Sequence, residues 1–187
     1  MKKGLIIVLG VLFALALIGM YIFGIYNKFV VANETVENQW AQVETQYQRR
    51  YDLIPNLVES VKGMMQQEQE IFQSLAEART RYGNASSVEE RVEATNQVES
   101  ALGRLLVVME NYPELKSAEN VQTLMAQLEG TENRISVERK RFNDGVAQFN
   151  MMIKQFPGKF FASIFGFEEK AYFQSAAGAE EAPKVEF

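Results

Sequence analysis

From Gly4 to Tyr26 no position carries a charge, and apolar side chains fill almost every site. At ~1.5 Å per residue the run makes a helix of about 35 Å, enough to cross a ~30 Å hydrocarbon core with some tilt. Beyond Asn27 the pattern changes to apolar positions three and four apart: Trp40, Val43, Tyr47, Tyr51, Ile54, Val58, Val61 and Met65, then Phe72 and Leu75. This spacing predicts one long amphipathic helix whose phase survives Pro55. Proline removes a backbone hydrogen bond and crowds the preceding turn, so a kink is expected there. The alternative makes Asp52 an N-cap with Pro55 in the first turn, giving two antiparallel helices.

The stretch RYGNASS, residues 81–87, is the first clear punctuation. Gly83 and Asn84 suit a left-handed helix end, and Ser87-x-x-Glu90 is a capping box that opens a second helix. That helix carries Val88, Val92, Thr95, Val98, Leu102, Leu105, Met109 and Tyr112, and Pro113 stops it. Ser117 and Asn120 start a third, with Val121, Leu124, Leu128, Ile135, Phe142, Val146, Phe149, Ile153 and Phe156 as its stripe and Pro157-Gly158 at its end. A shorter fourth helix is expected over the aromatic segment from Lys159 to Phe173. Three long stripes joined by short loops can bury their apolar faces only against one another. The expected fold is therefore all-α: a basic N-terminus (1–3), a transmembrane helix (4–26), an antiparallel four-helix bundle with a long Pro-kinked first helix (27–173) and a disordered acidic tail (174–187). The same spacing could extend into intermolecular coiled coil.

Charge changes this picture in two ways. The chain has a net charge of −5, and Lys2 and Lys3 are the only charged side chains before Lys28, so the bundle is more acidic still. An acidic surface without a basic stripe excludes a nucleic-acid partner. The two lysines and the N-terminal amine favour a cytoplasmic N-terminus and an exported, extracytoplasmic or periplasmic bundle, held at the bacterial inner (cytoplasmic) membrane by a single pass. A cleaved signal peptide is the rival reading, but the apolar run is long for one, and its Ala-x-Ala element (Ala14–Ala16) lies in mid-run.

Candidate chemistry is sparse. The chain has no Cys and no His, which removes thiolate catalysis, disulfides, the commonest general base and the commonest metal ligand. Carboxylate pairs remain chemically possible, but long helical faces carry such acids as solvated charges. No phosphate loop, nucleophile elbow or calcium loop is present. No catalytic, cofactor-binding or metal site is assigned, and a non-enzymatic protein without cofactors is expected.

Several residues break the stripes. Arg49, Arg50 and Asp52 sit beside Pro55-Asn56, where a guanidinium or amide could satisfy the carbonyl that proline frees. Glu132, Asn133 and Arg134 interrupt the third stripe, and Asn143 and Asn150 share a face two turns apart. They form either a buried polar network that sets helix register or a cleft for a ligand or partner helix. Residues 156–173 concentrate Phe156, Phe160, Phe161, Phe165, Phe167, Tyr172 and Phe173. These rings either cap one end of the bundle or form a surface that meets lipid or another copy, so Phe160, Phe161, Phe165, Phe167, Tyr172 and Phe173 are candidate interface residues.

Four segments, NQWAQVETQYQRRYDLIPNLVESVKG, ENYPELKS, LEGTENRISVERKRFNDGVAQFNMMIKQFP and GFEEKAYF, resemble the LemA family of bacterial membrane proteins. The resemblance runs from about Tyr26 to Phe173, and the element from Arg49 to Val58 is its most specific part. Met64-Met65 and Val121 depart from the usual pattern without disturbing the fold. The resemblance implies a bundle of four or more antiparallel helices and no catalytic activity or cofactor. It transfers Arg49, Arg50, Asp52, Pro55, Asn56, Tyr112, Pro113, Glu132, Asn133, Arg134, Asn143, Asn150, Phe156 and Pro157 as structural signature positions. Membrane organisation, and a membrane partner such as a protease, are the functional associations it carries. The expectation is a membrane-anchored helical scaffold or adaptor that contacts the lipid bilayer and forms a homo-oligomer or recruits another membrane protein. The alternative is an extracytoplasmic sensor or ligand-binding module acting on such a partner. A carboxylate enzyme acting on envelope glycans or phosphoesters is the third reading.

Overall fold

The computed structural model describes residues 2–173, apart from the side chains of Lys2, Lys3, Glu89 and Lys116; the acidic tail expected at 174–187 lies outside the described residues. Among these residues there are six helices and no strand: α1 (Lys2–Lys62), α2 (Gln69–Asn84), α3 (Val88–Met109), α4 (Pro113–Ser117), α5 (Glu119–Lys154) and α6 (Gly158–Phe165). The all-α expectation holds, with α1 running from the apolar segment into the amphipathic stripe.

Pro55 lies inside α1 without dividing it. The division comes later, and here the sequence reading is corrected. The stripe through Met65, Phe72 and Leu75 is not one helix, because α1 stops at Lys62 and residues 63–68 form turns. Gly63 has nothing near the position a Cβ would occupy, so neighbouring packing does not offset its weak helix propensity. The turns are closed by Met64 N–H and Met65 N–H donating to the Val61 carbonyl, and Met65 itself is fully buried.

The capping box forms as predicted. The Glu90 N–H donates to Ser87 Oγ at 3.1 Å, and the Ser87 N–H donates to Glu90 Oε2 at 3.3 Å. Ser86 adds backbone and hydroxyl donors to the same carboxylate, holding the Glu90 carboxyl below its usual range. Gly83 is not the left-handed terminus expected of it. It is helical, and α2 ends at an extended Ala85. Tyr51 Oη lies 3.4 Å from where a Cβ on Gly83 would stand, so the small residue admits a close ring. Pro113 does not terminate α3; it begins the short α4, where its missing N–H costs nothing.

The described residues divide into two compact units, one comprising residues up to 41 with 140–172, the other 42–139 with 173. In the second, Ile54, Leu57, Val61, Met65, Leu75, Leu105, Leu115 and Val121 form a contiguous core, almost wholly removed from water. In the first, Trp40 packs on Phe142 and Phe29 on Phe167, with ring centroids 5.4 and 5.3 Å apart. The first unit also carries the apolar end of α1, where nearly every large side chain from Leu5 to Phe23 is about half exposed or more. Monomeric soluble proteins do not leave so large an apolar surface in water.

Candidate functional site

The alternation of four- and three-residue steps along α1 buries Val36, Trp40, Val43, Tyr47, Ile54, Leu57 and Val61, and it places Arg50 on the same stripe. Arg50 is 3% exposed. A guanidinium so far from water needs acceptors, and Glu132 of α5 supplies one at 2.7 Å. Glu99 of α3 stands 3.9 Å from Arg50 and 3.4 Å from the Arg139 guanidinium, so its carboxylate lies between two cations. Arg139 Nε donates to Tyr47 Oη at 3.0 Å, and its guanidinium covers the Phe173 ring at 4.4 Å. Arg91 of α3 also pairs with Glu44 of α1. Two arginines against two glutamates balance the centre of the network, which ties α1, α3 and α5 together within the second unit.

The phenols here are held neutral. Burial pushes the Tyr47 hydroxyl up, against the pull of Arg139 and Arg50. Burial, reinforced by Tyr47, pushes Tyr82 up to about 12. Neither serves as a phenolate at neutral pH. Among the described residues no group of three or more carboxylates stands placed to hold a metal ion.

Beside this network, α3 and α5 enclose an open groove of about 670 Å³. Leu102, Leu106, Met125 and Leu128 form its apolar lining, while Arg50, Glu99, Glu129 and Glu132 supply charge. Its floor is greasy and its acidic groups outnumber its basic one.

The sequence-predicted residues distribute unevenly around this site. Of the Arg49–Arg50–Asp52 group only Arg50 enters the interior; Arg49 and Asp52 are exposed, with Asp52 accepting from Gln48 one turn back. Asn56 is exposed, and its carbonyl accepts from Ser60. Arg50 therefore does not serve the proline kink but reaches across to Glu132. Asn133 and Arg134 point to solvent, and so does Pro113; Tyr112 is half-buried against the core. Glu99, Arg139 and Tyr82 were missed. The signal for Arg50 was present, since a strict alternation from Val36 to Val61 requires position 50 to face inward. Glu99 and Arg139 sit among other charges on their helices, and nothing in the spacing distinguishes them.

Asn143 is half-buried and Asn150 is 3% exposed, both in the first unit. The Asn150 amide donates to the Lys170 carbonyl at 2.8 Å and accepts from the Lys170 N–H at 2.9 Å, so one side chain fastens the chain beyond α6. Lys170 also reaches Glu37 of α1 at 2.5 Å. The fourth helix is shorter than expected: Gly166 adopts a left-handed conformation and ends α6 at Phe165. Phe165 and Phe167 turn inward onto Tyr26, at 5.1 and 6.1 Å, and Phe167 also meets Phe149. Phe161 stacks on Phe165, while Phe160 and Tyr172 remain largely exposed and Phe173 belongs with Arg139 in the second unit. Phe156, placed by periodicity on the third stripe, is 91% exposed because the helix ends at Lys154, ahead of Pro157.

An apolar helix long enough to cross a membrane, continuous with a helical body held by ion pairs around a buried arginine and by aromatic contacts, defines a membrane-associated helical protein. A sequence profile of the LemA family matches residues 39–187, and the chain belongs to that family. It is 28% identical over 175 residues to the magnetosome proteins MamQ 1 and MamQ 2 of Paramagnetospirillum magneticum, covering 80% of this chain and 64% of each relative. It is also 28% identical over 174 residues to magnetosome protein MamQ of Magnetospirillum gryphiswaldense, covering 79% of this chain and 64% of that protein. The chain thus spans just under two thirds of the length of these relatives.

Proposed function

We propose that this protein is a non-enzymatic, membrane-anchored adaptor whose helical body docks an apolar helix of a membrane partner or of a second copy. The carrying observation is the groove between α3 and α5. Its lining of Leu102, Leu106, Met125 and Leu128 leaves apolar surface in reach of solvent, and its carboxylates favour an occupant with basic flanks. The apolar part of α1 supports membrane anchoring, and Lys2 and Lys3 ahead of it favour an inner-membrane placement with the body outside the cytoplasm. The description of relatives as magnetosome proteins supports a place in a larger assembly. The test is photocross-linking from position 106 of the full-length protein in its native membrane, alongside its mass in mild detergent. A discrete adduct of defined stoichiometry is expected. A monomer in detergent that yields no adduct would remove the adaptor reading.

A second reading, a ligand-sensing module, is favoured by one feature: Arg50 and Glu99 belong both to the buried network and to the groove. A small polar molecule bound there would compete for the pairs that join α1, α3 and α5. Thermal shift of the full-length protein across a metabolite panel tests it, and a uniformly flat response counts against it.

A further inference from the structure

The eight residues of α6 present four different faces. Gly158 and Ala162 are buried, and Phe161 and Phe165 are half-buried. Lys159 and Ser163 are exposed and polar, whereas Phe160 and Ile164 are each 61% exposed. Phe156, just ahead of α6, is the most exposed large apolar side chain of the protein as described. The Phe160 ring meets Phe161 edge-on, yet all three residues keep most of their surface in water, and folding alone gives no reason for that.

The position of α6 identifies what covers them. Tyr26 is the last residue of the uncharged run, and its ring packs edge-on against Phe165. At its other end Gly158 closes on Phe29: a Cβ there would stand 3.5 Å from the Phe29 ring. Both ends of a helix about 12 Å long therefore meet a single turn of α1, which fixes α6 beside that turn. That turn is where α1 passes from apolar residues to Asn27 and Lys28, the level at which a spanning helix leaves the hydrocarbon. Aromatic side chains and lysines concentrate at that depth, with rings in the acyl boundary and ammonium groups among the phosphates. Lys28 and Lys159 are both exposed there.

The geometry points to α6 as an interfacial membrane element, in which Phe156, Phe160 and Ile164 insert into the lipid boundary beside the exit of α1. It gives the body a second foothold on the bilayer and restricts its rotation about the anchor. The inference rests on the reading of α1 as a membrane anchor, and its test separates the two.

Because the chain has no cysteine, single nitroxide labels can be introduced directly. The full-length protein would be reconstituted in phosphatidylethanolamine–phosphatidylglycerol vesicles as Phe156→Cys, Phe160→Cys or Ile164→Cys. Leu9→Cys provides a bilayer reference and Val107→Cys, on α3, an aqueous one; circular dichroism checks that each variant keeps its helix content. The expected result is a ratio of oxygen to nickel-chelate accessibility at 156, 160 and 164 severalfold above that at 107 and approaching that at 9. Lipid-like values at 9 with water-like values at 160 and 164 would overturn the interfacial element and leave the anchor standing. Water-like values at 9 would remove the anchor and this inference with it. Protection of 160 and 164 from both reagents would mean that protein covers the face, and would overturn the lipid assignment.

Discussion

Arg50 and Asn150 show how single polar residues organise an apolar interior. Arg50 is almost fully buried while its partner Glu132 keeps 44% of its side chain exposed, so the two ends of one ion pair differ in value. Glu132→Ala leaves a buried cation with only Glu99, at 3.9 Å, and is expected to cost about 1–2 kcal/mol. Arg50→Met removes the buried charge and keeps much of the volume, and should cost less, since the carboxylates it leaves behind are nearly half exposed and water can solvate them. Urea denaturation of the two variants measures the order, and a reversed order would contradict this account. Asn150→Ala removes both bonds to Lys170, and about 1–2 kcal/mol is expected because the freed backbone can turn to water. Hydrogen exchange should rise at 166–173 before anywhere else. Tyr82 gives the molecule an alkaline limit. Its hydroxyl titrates at about 12 in the folded state and near 10.0 when unfolded, so the folded form binds the proton more tightly. That stability is complete below pH 10.0 and is lost as pH rises towards about 12. Phenolate absorbance should follow unfolding over this window, and Tyr82→Phe should flatten the dependence. Of these residues Arg50, Glu132 and Asn150 were legible beforehand as polar positions that break an apolar stripe. That Arg50 would pair with Glu132 was not, since any charge on a facing helix would satisfy the pattern.

At the scale of elements, legibility follows how local the cause is. The capping box at Ser87 and Glu90 involves four consecutive residues, so the start of α3 is visible in the chain. The end of α1 is not: phase continues from Val61 to Met65 and on to Leu75, and only the turns at 63–68 show that the register is kept by two helices. The left-handed residue fell at Gly166 rather than Gly83, because a glycine can serve either to reverse the chain or to admit a neighbour. Two glycines in the first unit separate such uses. A Cβ on Gly158 would fall on the Met152 backbone carbonyl oxygen, and backbone there cannot move without displacing the end of α5. The nearest atoms to a Cβ on Gly145 all belong to the side-chain amide of Gln39, whose Oε1 lacks a hydrogen-bond partner. Gly158→Ala should therefore destabilise by about 1–3 kcal/mol through overpacking. Gly145→Ala, in mid-helix, should be neutral or stabilise by up to about 1 kcal/mol. Thermal melts of the two variants in one detergent provide the comparison, and equal losses would refute the distinction.

For the whole molecule the membrane helix and the helical body carry different kinds of information. The apolar run is legible because hydrocarbon requires nothing more than length and absence of charge. The groove between α3 and α5 is not, since Leu102 and Leu128 belong to the same stripes that fill the core, with Leu106 and Met125 flanking them, and spacing cannot tell a filled seam from an open one. Exposure makes that difference testable. Leu106 is 37% exposed on the groove, so replacing it with Glu adds charge where water already reaches and should change stability by no more than about 0.5 kcal/mol. Leu105 beside it is fully buried, and Leu105→Ala should cost about 2–5 kcal/mol. If the groove docks an apolar helix, Leu106→Glu should abolish the complex while leaving the melting curve in place, because a carboxylate would have to enter the interface unpaired. A milder loss is expected of Glu129→Gln on the rim, seen mainly as reduced sensitivity of binding to salt. A complex that survives Leu106→Glu unchanged would place recognition elsewhere on the body, and the groove would lose its claim to function.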